Sequence, residues 1–222
     1  MDTHVRFRHR QIGGVAVKSA TQAYAELGGL NRPVVTTREA AARLTMTHGA
    51  ANKLLSRLAA AHLAQHVTHG IWALGPNVSA NLLPEYLTVP YPAYISLWSA
   101  LYLHSMIDQI PNRIFVASLS RAREVRTSVG TFAVHHIPPY LFGGWSQQEQ
   151  GKVADPAKAL FDTLYLRSHR GVAGIKLPEI EFPDDFDATS FGHWVAKVPS
   201  KKMRTVVTEA FRYLRTQPDR RK

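Results

Sequence analysis

Cysteine is absent from the 222 residues, and with it go disulfides, thiol nucleophiles and cysteine-ligated zinc. No stretch approaches the roughly 20 apolar residues that a bilayer-crossing helix needs. The first thirty residues hold no apolar run of signal-peptide type. Together with 45% hydrophobic residues to fill a core, these absences predict a soluble, cytoplasmic protein without membrane association. Phosphate-binding glycine loops are missing too. Gly13-Gly14, Gly28-Gly29 and Gly143-Gly144 lack the spacing and the lysine. There is no nucleophile elbow, internal repeat or low-complexity tract. Pro183-Asp184 starts like a nuclease carboxylate motif, but no Glu-x-Lys or Asp-x-Lys follows. His135 and His136 are strand neighbours pointing to opposite faces, so they cannot chelate one ion together. The expectation is a non-enzyme with no metal and no cofactor.

Acidic residues are scarce, and most of all at the two ends. Residues 1–80 carry nine Lys/Arg against three Asp/Glu, and residues 201–222 carry eight against two. The middle, 81–200, is nearly neutral with ten against eleven. A net charge of +11 placed in this way asks for an anionic partner, with nucleic acid leading.

The N-terminal pattern makes that partner more specific. Arg6, Arg8 and Arg10 alternate in a basic arm. An alanine-rich segment predicts a helix over 15–27, stopped by Gly28-Gly29. Thr36 and Glu39 have capping-box spacing, which predicts a helix over 37–44. After the turn Thr45-Met46-Thr47, Thr47 suits an N-cap for a third helix over 48–61 with Ala51, Leu54, Leu55 and Leu58 inward. Residues 64–67 and 71–74 read as strands around a tight turn. Helix, helix, short turn, helix, hairpin is the order of a winged helix-turn-helix, whose third helix enters the major groove. Thr47, His48, Ala50, Asn52, Lys53 and Arg57 are then left toward DNA. Asn52 suits an adenine edge, and Lys53 or Arg57 suits guanine or phosphate. Thr36, Thr37 and Arg38 suit a backbone phosphate at a helix start, and His69 is the candidate wing contact.

Beyond a linker at 75–79, the pattern predicts a helix over 92–106, a strand over 113–118 and a hairpin of 124–127 with 131–137. A further helix is capped by Asp155 with Ala157, Leu160, Phe161 and Leu164 inward. Residues 177–190 read as surface loop. A regular helix over 200–215 carries Lys201, Lys202, Arg204, Arg212 and Arg215 opposite its apolar stripe. The fold class expected is α+β: a winged helix-turn-helix domain over 1–77, then a mixed α/β domain over 78–222.

Tyr91-Pro-Ala-Tyr-Ile-Ser-Leu-Trp-Ser-Ala-Leu-Tyr-Leu-His104, Gln109-Ile-Pro111 and Ile114-Phe-Val-Ala117 follow that first domain. With Asp155-Pro-Ala-Lys-Ala-Leu-Phe-Asp-Thr-Leu-Tyr-Leu166, they make the chain resemble AbiEi-type antitoxins of bacterial abortive-infection toxin–antitoxin systems. Ser105 departs from the glycine expected after the histidine. The resemblance implies repression of the chain's own operon, by binding inverted repeats in promoter double-stranded DNA. It also implies a C-terminal domain that counteracts a nucleotidyltransferase-like toxin. The basic last helix suits either DNA backbone or a toxin surface. Monomer and dimer both stay open, as does assembly on DNA. The competing reading is a transcription factor whose C-terminal domain senses a ligand or dimerises.

Overall fold

The computed structural model of the chain describes residues 19–149, 151–168 and 179–216. Arg6, Arg8 and Arg10, and residues 15–18 of the helix expected over 15–27, lie outside these residues; Ser19, within that range, is an extended cap, so the helix begins at Ala20 instead.

The first helix described, α1 (Ala20–Gly28), is capped by Ser19. Its hydroxyl accepts from the Gln22 amide while the Gln22 side chain accepts from the Ser19 amide. Then come β1 (Val34–Thr36), α2 (Thr37–Arg43), α3 (His48–Ala60), β2 (Ala64–Thr68) and β3 (Ile71–Leu74). The Thr36–Glu39 capping box forms, and the Thr47 hydroxyl accepts from the Ala50 amide at the start of α3. Leu54, Leu55 and Leu58 of α3 pack with Ala23, Leu27, Leu44 and Trp72 in one apolar cluster. The strand β1 has no counterpart in the sequence pattern. It joins an antiparallel sheet of order β1-β3-β2.

The remaining elements are α4 (Pro84–Thr88), β4 (Ala93–Ile95), α5 (Leu97–Leu103), β5 (Ile114–Ser118), β6 (Arg123–Thr127), β7 (Gly130–His136), β8 (Trp145–Gln148), β9 (Gly151–Ala154), α6 (Pro156–Ser168), α7 (Ala188–Ala196) and α8 (Lys201–Thr216). Their strands form a mixed sheet of order β6-β7-β5-β4-β9-β8, parallel at β5–β7 and β4–β9. The chain is thus mixed α and β. On one sheet face, α5 to α8 pack over Tyr94 and Ala117. On the other, Ala93, Val116, Phe132 and Val134 meet Val34, Val67 and Ala73 of the first sheet. The two sheets share a core.

The helix expected over 92–106 is instead a strand and a shorter helix. A short apolar run is ambiguous between the two, and here Tyr94 and Ile95 fill a central strand between β5 and β9. Leu97, at φ 51°, makes the elbow into α5. For a leucine that conformation costs on the order of 1–2 kcal/mol. Ser105 sits just past the end of α5 with φ 55°. This is the left-handed position that glycine takes most readily, which gives the missing glycine a backbone explanation rather than a packing one.

The helix α6 is buried on almost every side, whereas the sequence pattern identifies only its apolar positions. Lys158 and Asp162, four residues apart, are both fully buried. The Lys158 Nζ donates to Asp162 Oδ1 at 2.5 Å and to the Leu141 carbonyl at 2.6 Å. Its charge also lies 4.3 Å from the Trp194 ring centroid. Tyr94 Oη and Ser96 Oγ both donate to Asp162 Oδ2, at 3.0 and 2.7 Å. Burial pushes the Asp162 carboxyl up and the Lys158 ammonium down, and each partner's charge opposes the other's shift. With three donors on its oxygens, Asp162 is arranged as an ionised acceptor. Gly144 lets the chain pass this centre. It has φ +72°, and a Cβ there would meet Trp194 at 2.6 Å and Lys158 at 3.0 Å.

Asp162→Ala should lower the unfolding free energy by about 3–5 kcal/mol, because it strands a buried ammonium. The double variant Lys158→Met/Asp162→Leu should recover much of that loss in urea denaturation. A single variant costing under about 1 kcal/mol would contradict the burial described.

Candidate nucleic-acid interface

The surface of α3 divides around its buried stripe. Thr47, His48, Ala50, Asn52, Lys53, Ser56 and Arg57 are exposed, while Ala51, Leu54, Leu55 and Leu58 are buried. His48, Asn52 and Ser56 repeat every fourth residue and border a cleft of about 530 Å³ against the β2–β3 hairpin. His66, His69, Gly70 and Trp72 form its far wall, and no carboxylate lines it. Lys53 and Arg57 occupy the neighbouring stripe.

Charge on this unit is uneven. Arg32 pairs with Glu39 at 3.4 Å, and Arg43 donates to the Glu26 carbonyl at 3.2 Å. Among the described residues, Arg38, Lys53 and Arg57 make no hydrogen bond or ion pair through their side chains and are exposed.

Two of the three residues expected to hold a phosphate at the start of α2 are committed elsewhere. Thr37 is buried, and its Oγ1 accepts from Trp72 Nε1 at 3.0 Å. Its amide donates to the Gly70 carbonyl at 2.9 Å. Thr36 uses its hydroxyl within the capping box, accepting from the Glu39 amide and donating to the Glu39 carboxylate. Thr37 therefore ties the helix start to the hairpin, because a buried indole N–H needs an acceptor, and Arg38 alone keeps an open side chain. His66 is not singled out by the sequence. It stacks obliquely on Trp72, with ring centroids 4.6 Å apart, and its one sequence signal is an outward place in the strand alternation.

The hairpin is not free to choose its own angle. Its register slips between His66 and Thr68, so Val67 is an extra residue opposite β3. The bulge turns Val67 into the core shared with Phe132 and Val134. Ser128, in the turn between β6 and β7, takes up the carbonyls beside it. Its Oγ donates to the His66 carbonyl at 2.7 Å, and its amide donates to the Val67 carbonyl at 3.0 Å. The far wall of the cleft is thereby keyed to the large sheet.

The basic side of α8 is only partly available. Arg204 donates to the Val198 and Pro199 carbonyls, so it closes the turn before the helix rather than facing a partner. Arg215 lies with its guanidinium carbon 5.6 Å from the Phe182 ring. Lys201, Lys202, Arg212 and Arg215 are all exposed. Lys201 and Lys202 stand in a first turn that has no acidic residue, where the helix dipole disfavours cations. Among the described residues no group of three acidic or histidine side chains could hold a metal ion, and no helix is long and apolar enough to cross a membrane.

Comparison with protein-family models and with curated proteins found no match.

Thr37→Val should destabilise the protein by about 1–3 kcal/mol, the cost of an unsatisfied buried donor. Thr37→Ser should be close to neutral. Urea unfolding monitored by tryptophan fluorescence reads both, and equal stability of the two variants would contradict the Thr37–Trp72 bond as the tie between helix start and hairpin.

Proposed function

We propose that the N-terminal three helices and hairpin form a winged helix-turn-helix that reads double-stranded DNA. We further propose that the chain is an autoregulatory antitoxin of the AbiEi type. The observation that carries the DNA reading is the exposed, carboxylate-free surface of α3 beside the hairpin. On this reading α3 lies in the major groove. Asn52 pairs with an adenine edge, Lys53 and Arg57 contact guanine or phosphate, and His69 at the hairpin tip meets the adjacent backbone. Arg38 takes the phosphate that the sequence pattern assigns to three residues. The antitoxin half rests on the motifs around residues 91–117 and 155–166. Those motifs coincide with the buried centre, since Tyr94, Ser96, Lys158 and Asp162 all belong to them. Lys201, Lys202, Arg212 and Arg215 remain as exposed cations of α8 for DNA backbone or an acidic toxin surface.

A mobility-shift titration on the DNA directly upstream of the chain's own gene, against a shuffled fragment, tests the first half. Selective retention of the upstream fragment is expected, and Lys53→Ala/Arg57→Ala should abolish the shift while the unfolding midpoint stays unchanged. In a salt titration of either single variant, the slope of log affinity should fall by about one unit if the missing cation had neutralised a phosphate. An unchanged affinity in the double variant would remove α3 from the interface. The antitoxin half is tested by co-expressing the full chain with an adjacently encoded nucleotidyltransferase. Rescue of growth is expected. Persistent toxicity beside intact DNA binding would leave a plain transcription factor.

A further inference from the structure

The parallel neighbours β5 and β7 end side by side at Ser118 and His136, next to the start of β4 at Ala93. Ligands in sheets with parallel strands gather at carboxyl ends of this kind. A cleft of about 630 Å³ opens here, inside the range of about 300–1,000 Å³ that small-ligand sites occupy. Its lining holds Arg121, Arg123 and His136 and no carboxylate.

The three basic side chains differ in how they are held. Arg123 donates to the Leu87 carbonyl at 2.6 Å, to Ser120 Oγ at 3.3 Å and to the Arg121 carbonyl at 3.3 Å. It fixes the wall and adds positive charge. His136 has its Nδ1 3.1 Å from the Ser120 carbonyl, so Nδ1–H donates there and Nε2 is left as the ring's other polar atom. Arg121 is exposed, and among the described residues its side chain has no hydrogen bond or ion pair. The same cleft is lined by Val89 and Tyr91, exposed by 68% and 49%. A planar ring beside a set of basic groups is the pairing that recognises a base together with its phosphate.

We propose that this cleft binds a nucleoside phosphate, with the phosphate on Arg121 and His136 and the base against Tyr91. The site is separate from the DNA-reading surface and does not depend on that reading. The strand β7 has seven residues, about 20 Å at ~3.3 Å per residue. The turn that grips β2 is at its start, and this cleft is at its end.

Isothermal titration of the full chain with AMP, GMP, CMP and UMP, and with inorganic phosphate, tests the proposal. At least one nucleotide should saturate a single site, and inorganic phosphate should bind about tenfold more weakly for want of the stacked base. Arg121→Ala should weaken the nucleotide by about tenfold or more through loss of a charge-assisted hydrogen bond. Tyr91→Ala should weaken it by about tenfold and leave the affinity for phosphate unchanged. Both side chains are exposed, and unchanged unfolding midpoints would verify that the variants fold. Three results would overturn the proposal: no saturable binding of any of the four nucleotides, binding indifferent to both substitutions, or phosphate bound as tightly as the nucleotides.

Discussion

Val67 is the residue through which the two sheets constrain each other. A single extra residue in β2 turns it away from the small sheet's own ladder and into the apolar cluster with Val116, Phe132 and Val134. The same bulge exposes two carbonyls, and Ser128 satisfies both. A hairpin of this size, standing alone, would be marginal in water. Here its position follows from a core it does not own. The cleft between α3 and the hairpin inherits its width from that arrangement, and so does the proposed DNA-reading surface. Movement of the β6–β7 turn would move His66 and the cleft wall with it.

The large sheet has its own fixed point in Lys158 and Asp162. A buried ion pair is seldom a net source of stability, because desolvation offsets most of the attraction. It is demanding about geometry instead. Three segments must arrive together for Asp162 to collect Tyr94 and Ser96 while Lys158 reaches the Leu141 carbonyl. Gly144 must be a glycine for the loop before β8 to pass Trp194. In a chain with an excess of eleven positive charges, Lys158 is a cation withdrawn into the core. Lys53, Arg57, Arg121 and Arg212 stay on the surface.

The N-terminal unit is largely legible in the sequence because local chemistry determines it. The Thr36–Glu39 capping box, a three-residue turn and an inward stripe at 51, 54, 55 and 58 act over a few residues, and each forms as the pattern requires. What the pattern does not show is long-range. The strand β1 is only three residues, and it exists because β3 lies beside it. Thr37 reads locally as a phosphate ligand, yet Trp72, thirty-five residues on, claims its hydroxyl. In the second half, 92–106 reads as one helix from its apolar spacing, but the sheet takes Ala93–Ile95 as a strand between β5 and β9. The pattern of α6 marks only Ala157, Leu160, Phe161 and Leu164 as inward, since nothing local announces a helix packed on all sides. The cleft at 630 Å³ has no linear signature, because its walls come from segments near residues 90, 121 and 136.

Hydrogen exchange of the full chain, free and bound to its upstream DNA, addresses the central claim most directly. The account predicts slowed exchange at the start of α3, residues 47–52, and at the hairpin, residues 66–72. The turn at 128–130 should respond with them, because its bonds to His66 and Val67 couple the two. Protection confined to α8, with α3 and the hairpin unchanged, would contradict the account.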